Sequence, residues 1–499
     1  MSARKAGFFA LGIGIFIILF SLIVDYIGLG KKGIQAFQLL GLQTGIVISI
    51  LGWAIAKHSN QPLNFGIFFQ RLKDHFLTLP ALAMVVAGFV AAYILLFIFP
   101  MFLNPEHSLQ YFNLYIPKIN PIGHDLIFAN ASIKGWLSGQ SLYDNQNLYY
   151  PPLYAAIFAP TLLLGYPANY YLITFLTLAC TTALFFTIPL LSNGSKQVTS
   201  LSAFFFLTAL FSYGMQFELE RGQFNIIAFT LCVLSVYIYH YHNSLRYYAY
   251  LLFSISIQIK IYPVVLVLMF IKDWRDWKGN LLRFLGLGVF NIALLFVLGW
   301  QVFLDYTKAL PILLNVTWSR PYNHSIRSFV YELASSGYGI LSSTMVSWLK
   351  THLTLIELFL MAFYFMCLLT VLIKAYINKE HEMNFNLLLI CTIGAMILPS
   401  ASVDYKLPIV AFPLAAALSY KSIQSQGIKR VMTMLLITLL SFAYSTTFFP
   451  FIHKPELLTN NLPMLLVILA AVTVLNFMET NTPSTIFKND ADQIDLSFS

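Results

Sequence analysis

Charge is scarce in this chain. Asp, Glu, Lys and Arg make up 10% of its 499 residues, where an ordinary soluble domain carries about 25%. That leaves too little polar surface to clothe a soluble body of this size. With 58% of residues hydrophobic, the surplus apolar area has to face lipid. Cysteine is sparse too. Cys180, Cys232, Cys367 and Cys391 all lie inside apolar runs, without metal-ligand spacing or a loop setting suited to a disulfide, so they read as small apolar filler. A nucleotide-binding glycine loop, a zinc motif and a Ser-His-Asp set in any known family order are all missing. Arg4-Lys5 precedes an apolar run to about Val24 without the short h-region and small-residue cleavage site of a signal peptide, so Met1 to Asp25 is expected to remain as a first helix. The net charge of +9 comes from Lys and Arg scattered over short loops. That pattern argues against a nucleic-acid partner.

What is present is a succession of apolar runs. About twenty such residues cross a hydrocarbon core about 30 Å thick. Membrane segments are expected near 7–27, 37–56, 79–99, 167–191, 199–216, 224–240, 247–259, 262–272, 281–299, 353–373, 385–399, 405–420, 431–449 and 461–477. The fold class is therefore all-α, a polytopic transmembrane helical bundle. The short pair 247–259 and 262–272 reads as a hairpin broken near Pro263, which leaves Arg246 and the cluster Lys272 to Lys278 on one side. With the N-terminus inside, the cytoplasmic stretches hold the greater part of the Lys and Arg, although Lys31 and Lys32 run against the rule. Two long outer loops, 100–152 and 300–352, carry amphipathic or aromatic stretches expected to form juxtamembrane helices. Residues 1–78 form an N-terminal transmembrane hairpin with a cytoplasmic loop, 79–420 a core, 421–478 a C-terminal hairpin, and 479–499 a polar cytoplasmic tail expected to be disordered.

Polar groups beside membrane helices are costly, so those that remain are candidates for function. On this topology they converge on the outer side: Gly123-His124-Asp125, Tyr149-Tyr150-Pro151-Pro152, Glu218 to Asn225, Lys260, Asn323-His324-Ser325 and Asp404-Tyr405-Lys406. Asp125 precedes a stretch able to lie as a helix on the membrane surface. It reads either as that helix's N-cap or as a general base, since a carboxylate near an apolar wall accepts a proton more readily. Arg221 and Lys260 read as phosphate-binding cations. A charge in a short turn such as Arg221 also needs no special explanation, and Lys260 has the alternative of snorkelling to the interface. Even so, Lys260 sits in an apolar run at a cost of roughly 2.5–3.5 kcal/mol. Gln223 and Asn225 suit sugar hydroxyls or a helix cap. Tyr150 suits a sugar site or the interfacial belt. Asp125 as the single carboxylate among the candidates of the first loop argues for a metal-free site, in contrast to a cation held by several carboxylates, and no cofactor is expected.

In order along the chain come Asp125, then Gly139 to Tyr143, Tyr150-Pro151-Pro152-Leu153 with Ala159-Pro160, and Gly222-Gln223-Phe224-Asn225. Lys260-Ile261-Tyr262-Pro263, Asn323-His324-Ser325 and Pro399-Ser400 to Tyr405 follow. This ordered set, over roughly 80–420, resembles glycosyltransferase family 87, the membrane-embedded polyprenyl-phosphate-mannose-dependent mannosyltransferases. The resemblance implies a C-type glycosyltransferase fold, with 79–420 as the glycosyltransferase core. It also implies a polyprenyl-phosphate sugar donor, a glycolipid or glycan acceptor, and a multi-pass protein of the bacterial inner membrane with its active site on the extracytoplasmic side. By carry-over, Asp125 is the base of a single inverting displacement, and Arg221 and Lys260 bind the donor phosphate. Tyr150, Gln223, Asn225, Asn323, His324 and Asp404 line the sugar and acceptor sites. Two departures stand out. Ser402 to Lys406 lacks the histidine the family usually has there, and residues 1–60 add a hairpin. The rival reading is a transporter or flippase for a lipid-linked saccharide. Such proteins place their charges near the midplane, whereas these candidates lie in outer loops and at helix starts.

Overall fold

The computed structural model describes residues 3–24, 36–58, 122–144, 150–191, 202, 205–210, 212–315, 323–335, 341–378, 383–424 and 460–478. The expected segments 79–99 and 431–449 lie outside the described residues, as do 100–121, Tyr149 and the tail 479–499. Among the described residues the protein is an all-helical membrane bundle, its only β pairing a bridge between Asn323 and Val403.

At its centre is the helix Phe385–Ile397, every residue of which is buried. A helix apolar on all sides belongs in such a place. Around it pack Tyr262–Phe270, Pro408–Gln424, Leu353–Asn378 and Leu462–Met478. The outer helices reverse the soluble pattern: Leu353–Asn378 exposes Leu355, Leu358, Phe359 and Ile373, the face that lipid covers. The N-terminal hairpin pairs Ala3–Ile23 with Ala36–His58. At Gly14 and Gly45 the two backbones approach so closely that a Cβ on either would run into the other helix, the small-residue packing typical of membrane helices.

Two expected segments differ in form. Residues 199–216 do not make one helix, because Ser212 starts a new one. Its Oγ accepts from the Met215 N–H at 3.2 Å, opening the helix Tyr213–Arg221. That helix meets Asn225–Tyr241 at 108°. Residues 262–272 form the 3-10 helix Tyr262–Phe270, with Pro263 in its first turn, so the expected break falls at Lys260-Ile261. Three described helices, Arg4–Ile23, Ala168–Phe185 and Leu353–Asn378, are long and apolar enough to cross a bilayer, or four spans if the bent pair counts as one. Among its described residues, the stretch 300–352 carries the helices Trp300–Asn315, Ile326–Ser335 and Ser343–Thr351.

Candidate active site

The site is built on the turn that ends Tyr213–Arg221. Gly222 adopts φ 65°, ψ 43°. Its N–H bonds the Leu219 carbonyl and the Gln223 N–H bonds that of Glu218, both at 3.0 Å, a Schellman closure that calls for a residue tolerant of positive φ. A Cβ on Gly222 would also lie 2.9 Å from Leu126 Cβ. That close approach brings in the helix His124–Leu137. The Gly123 N–H donates to the Glu220 carbonyl at 2.7 Å, and Tyr170 Oη donates to Leu219 O at 2.8 Å. Gly123, in a left-handed conformation, is the N-cap of His124–Leu137, and no side chain caps that helix. Asp125 is therefore not an N-cap. Its carboxylate accepts from Gln223 Nε2 and, at 3.4 Å, from Arg221 Nη1.

The other end of Gln223 meets a cation. Lys260 Nζ donates to Gln223 Oε1 at 2.7 Å and to Tyr150 Oη at 3.0 Å, and lies 4.2 Å from the centre of the Tyr150 ring. One amide thus separates the carboxylate from the ammonium, its N–H₂ toward the one and its oxygen toward the other. The Asp125 and Arg221 side chains are 26% and 19% exposed and Lys260 is 9% exposed, so the carboxylate faces out and the ammonium is recessed. Lys260 is placed by the helix break: Arg246–Ile259 ends there and the backbone becomes extended, at φ −147° and ψ 135°. Tyr262 Oη then donates to Asn225 O at 2.7 Å, tying the break to the Gly222 turn. Tyr150 is held from behind by Tyr143, whose Oη donates to the Tyr150 carbonyl at 2.7 Å.

The remaining expected site residues lie elsewhere. Asn225 is buried, its Nδ2 donating to Glu218 Oε2 at 2.7 Å. Asn323, His324 and Asp404 form a second cluster, each at most 1% exposed. His324 Nδ1 accepts from the Asn461 N–H at 3.0 Å, so Nε2 carries the proton that His324 shares with Asp404 Oδ1 at 2.7 Å. Burial pushes the Asp404 carboxyl above its usual range, and the histidine draws it back down. Asn323 Oδ1 accepts from the Ser402 N–H at 2.8 Å, and Asn323 O accepts from Asn460 Nδ2 at 2.8 Å. These contacts clamp three distant segments together. The link to the first cluster runs through Tyr405, whose ring lies 5.9 Å from that of Phe217.

A family model for glycosyltransferase family 87 matches residues 147–401, just over half of the chain. The chain belongs to glycosyltransferase family 87. It is therefore a membrane glycosyltransferase, not a transporter or flippase. The matched stretch is shorter than the 80–420 over which the motifs were read. It contains Tyr150, Arg221, Gln223, Asn225, Lys260, Asn323 and His324, while Asp125 precedes it and Asp404 follows it. No curated protein and no solved structure matches the chain.

Around the candidate site stand charges to which the sequence motifs gave no role. Glu218 is fully buried, and Glu220 Oε2 lies 3.3 Å from Arg221 Nε. Lys406 donates to Ala401 O at 2.8 Å and is close enough to Lys260 for the two like charges to act on each other. The available signal was the ionisable residue beside an apolar run. Nothing in the sequence says which partner each one meets.

Proposed function

We propose that this family 87 protein transfers a hexose, mannose by family precedent, from a polyprenyl-phosphate donor to a hydroxyl of a glycolipid or glycan acceptor. The reaction would take place on the extracytoplasmic face of a bacterial inner membrane, where nucleotide sugars are absent. Asp125 takes the acceptor's proton. The freed oxygen attacks the anomeric carbon, and the bond from that carbon to the phosphate oxygen breaks with its electron pair. Polyprenyl phosphate leaves, and the anomeric configuration inverts. Lys260 and Arg221 stabilise the charge gathering on the phosphate, the kind of electrostatic help that is often the largest catalytic contribution. Arg221 exchanges Asp125 for the phosphate as the donor arrives, which frees the carboxylate for its proton.

One observation carries this reading: Gln223 holds Asp125 at one end of its amide and Lys260 at the other. A glycosyl phosphate needs that pairing, with a base on the acceptor side of the sugar and a cation on its leaving group. Tyr150 and Gln223 line the sugar in this reading, while Asn225, Asn323, His324 and Asp404 hold the walls. The test is transfer by the purified protein from a panel of lipid-phosphate sugars. Asp125→Asn is expected to lower kcat at least about 100-fold, general-base help being worth about 10²–10⁴, with unchanged expression and membrane insertion. Full activity in that variant removes Asp125 as the base.

A further inference from the structure

Glu218 has no place in the proposed chemistry, yet it is 0% exposed and stands directly behind it. Three residues ahead of Arg221, it holds both sides of the Gly222 turn. Its carbonyl accepts the Gln223 N–H at 3.0 Å. Its carboxylate reaches over to the next helix, where Oε2 accepts from Asn225 Nδ2 at 2.7 Å and Oε1 from the Ile226 N–H at 3.1 Å. The first N–H groups of a helix carry partial positive charge and favour an anion, so a carboxylate suits this position better than a neutral amide. Its negative charge also acts on Lys260 and Lys406.

We infer that Glu218 is a positioning residue of the site: it fixes the turn that carries Gln223 and supplies a buried negative charge that helps hold the recessed Lys260 as an ammonium, ready for a phosphate oxyanion. The groups facing Lys260 are Asp125 from His124–Leu137, Glu218 from Tyr213–Arg221, the Tyr150 phenol, and Lys406 from the turn Asp404–Lys406. Lys406 is a cation and works against the charge on Lys260. Asp125 supports that charge only until it takes up a proton, which is when negative charge grows on the leaving group. Glu218 takes no part in the proton transfer; burial pushes its carboxyl up to about 7, so it carries its charge above neutrality, in the alkaline range where Lys260 loses its own. A buried ammonium without such a partner sheds its proton.

This inference rests on the proposed role of Lys260 at the donor phosphate, and the experiment separates the two. Binding of polyprenyl phosphate, the proposed leaving group, to the full-length protein in nanodiscs is measured across roughly pH 6–9, the range around neutrality where a depressed lysine titrates. In Glu218→Gln, the pH at which binding has fallen by half is expected to move down by about one unit. In Lys260→Arg, which stays charged, the alkaline loss should disappear, and adding Glu218→Gln should not bring it back. A merely structural Glu218 would lower the melting temperature without moving that midpoint. An unmoved midpoint in Glu218→Gln, alongside weak binding in Lys260→Met, overturns the inference and leaves the functional reading intact. Binding by Lys260→Met equal to the parent's overturns the reading of the site itself. If Glu218→Gln fails to accumulate, the double variant Glu218→Gln/Lys260→Met decides. Recovery of folded protein once both charges are gone supports the pairing, and no recovery refutes it.

Discussion

A carboxylate in the first turn of a helix has two uses: it can bond that helix's own free N–H groups, or it can face away from them. Asp125 faces away, because Gly123 already shapes the helix start and Gln223 and Arg221 compete for the carboxylate. His324 and Asp404 show the opposite case, a buried pair satisfied wholly by protein. Removing one partner of such a pair leaves an uncompensated buried charge. His324→Ala is therefore expected to cost about 3 kcal/mol, read from unfolding in mixed micelles as SDS is raised. A cost near zero would show that the cluster does not clamp its three segments. The residue types at both places were legible in the sequence, since a polar group beside an apolar run marks itself by its cost. Their partners were not legible: an amide or an imidazole bonds whatever packing brings within about 3 Å.

At the scale of elements, the breaks in the helices make the site. Ser212 starts one helix, Gly222 ends it, and Lys260 ends another. All three fall where the sequence interrupts an apolar run with Gly, Pro or a polar residue, so a break near Pro263 could be anticipated, and it falls just before it, at Lys260-Ile261. The helix Tyr213–Arg221 could not, because its first residues continue the preceding apolar run and only the Ser212 cap separates them. Gly222→Ala combines left-handed strain of roughly 1–2 kcal/mol with a Cβ that would press on Leu126. It is expected to lower both stability and turnover. Gly222→Asn tolerates the backbone conformation but keeps the Cβ, so it should recover part of the stability and little of the activity. Equal and full recovery in both measures would mean that the approach of Leu126 does not set the site. Thermal melts and initial rates of the three proteins decide the matter.

Over the whole molecule, the N-terminal hairpin is joined by buried amides to the helix that carries the candidate site. Gln43 Nε2 donates to Leu210 O at 2.8 Å, and Gln216 Nε2 donates to Gln43 Oε1 at 2.9 Å. Gln43 and Gln216 are 0% and 1% exposed. Polar links between membrane helices are worth about 0.6 kcal/mol on average. Gln43→Leu also strands a buried amide and a buried carbonyl, so a loss of about 1 kcal/mol is expected in the same SDS titration. A variant as stable as the parent would show that the hairpin does not brace Tyr213–Arg221. Composition and apolar periodicity by themselves determined an all-helical membrane body, the placing of most of its segments, and the set of polar residues from which a site could be drawn. That much is local, because burial in lipid is priced segment by segment. Only the tertiary structure decided which of those residues meet. Asp125 joins Gln223 across 98 residues and Lys260 joins Tyr150 across 110, while Asn323, His324 and Asp404 turn toward one another. A hydrogen bond has no sequence period. Its partner is chosen by how the helices pack.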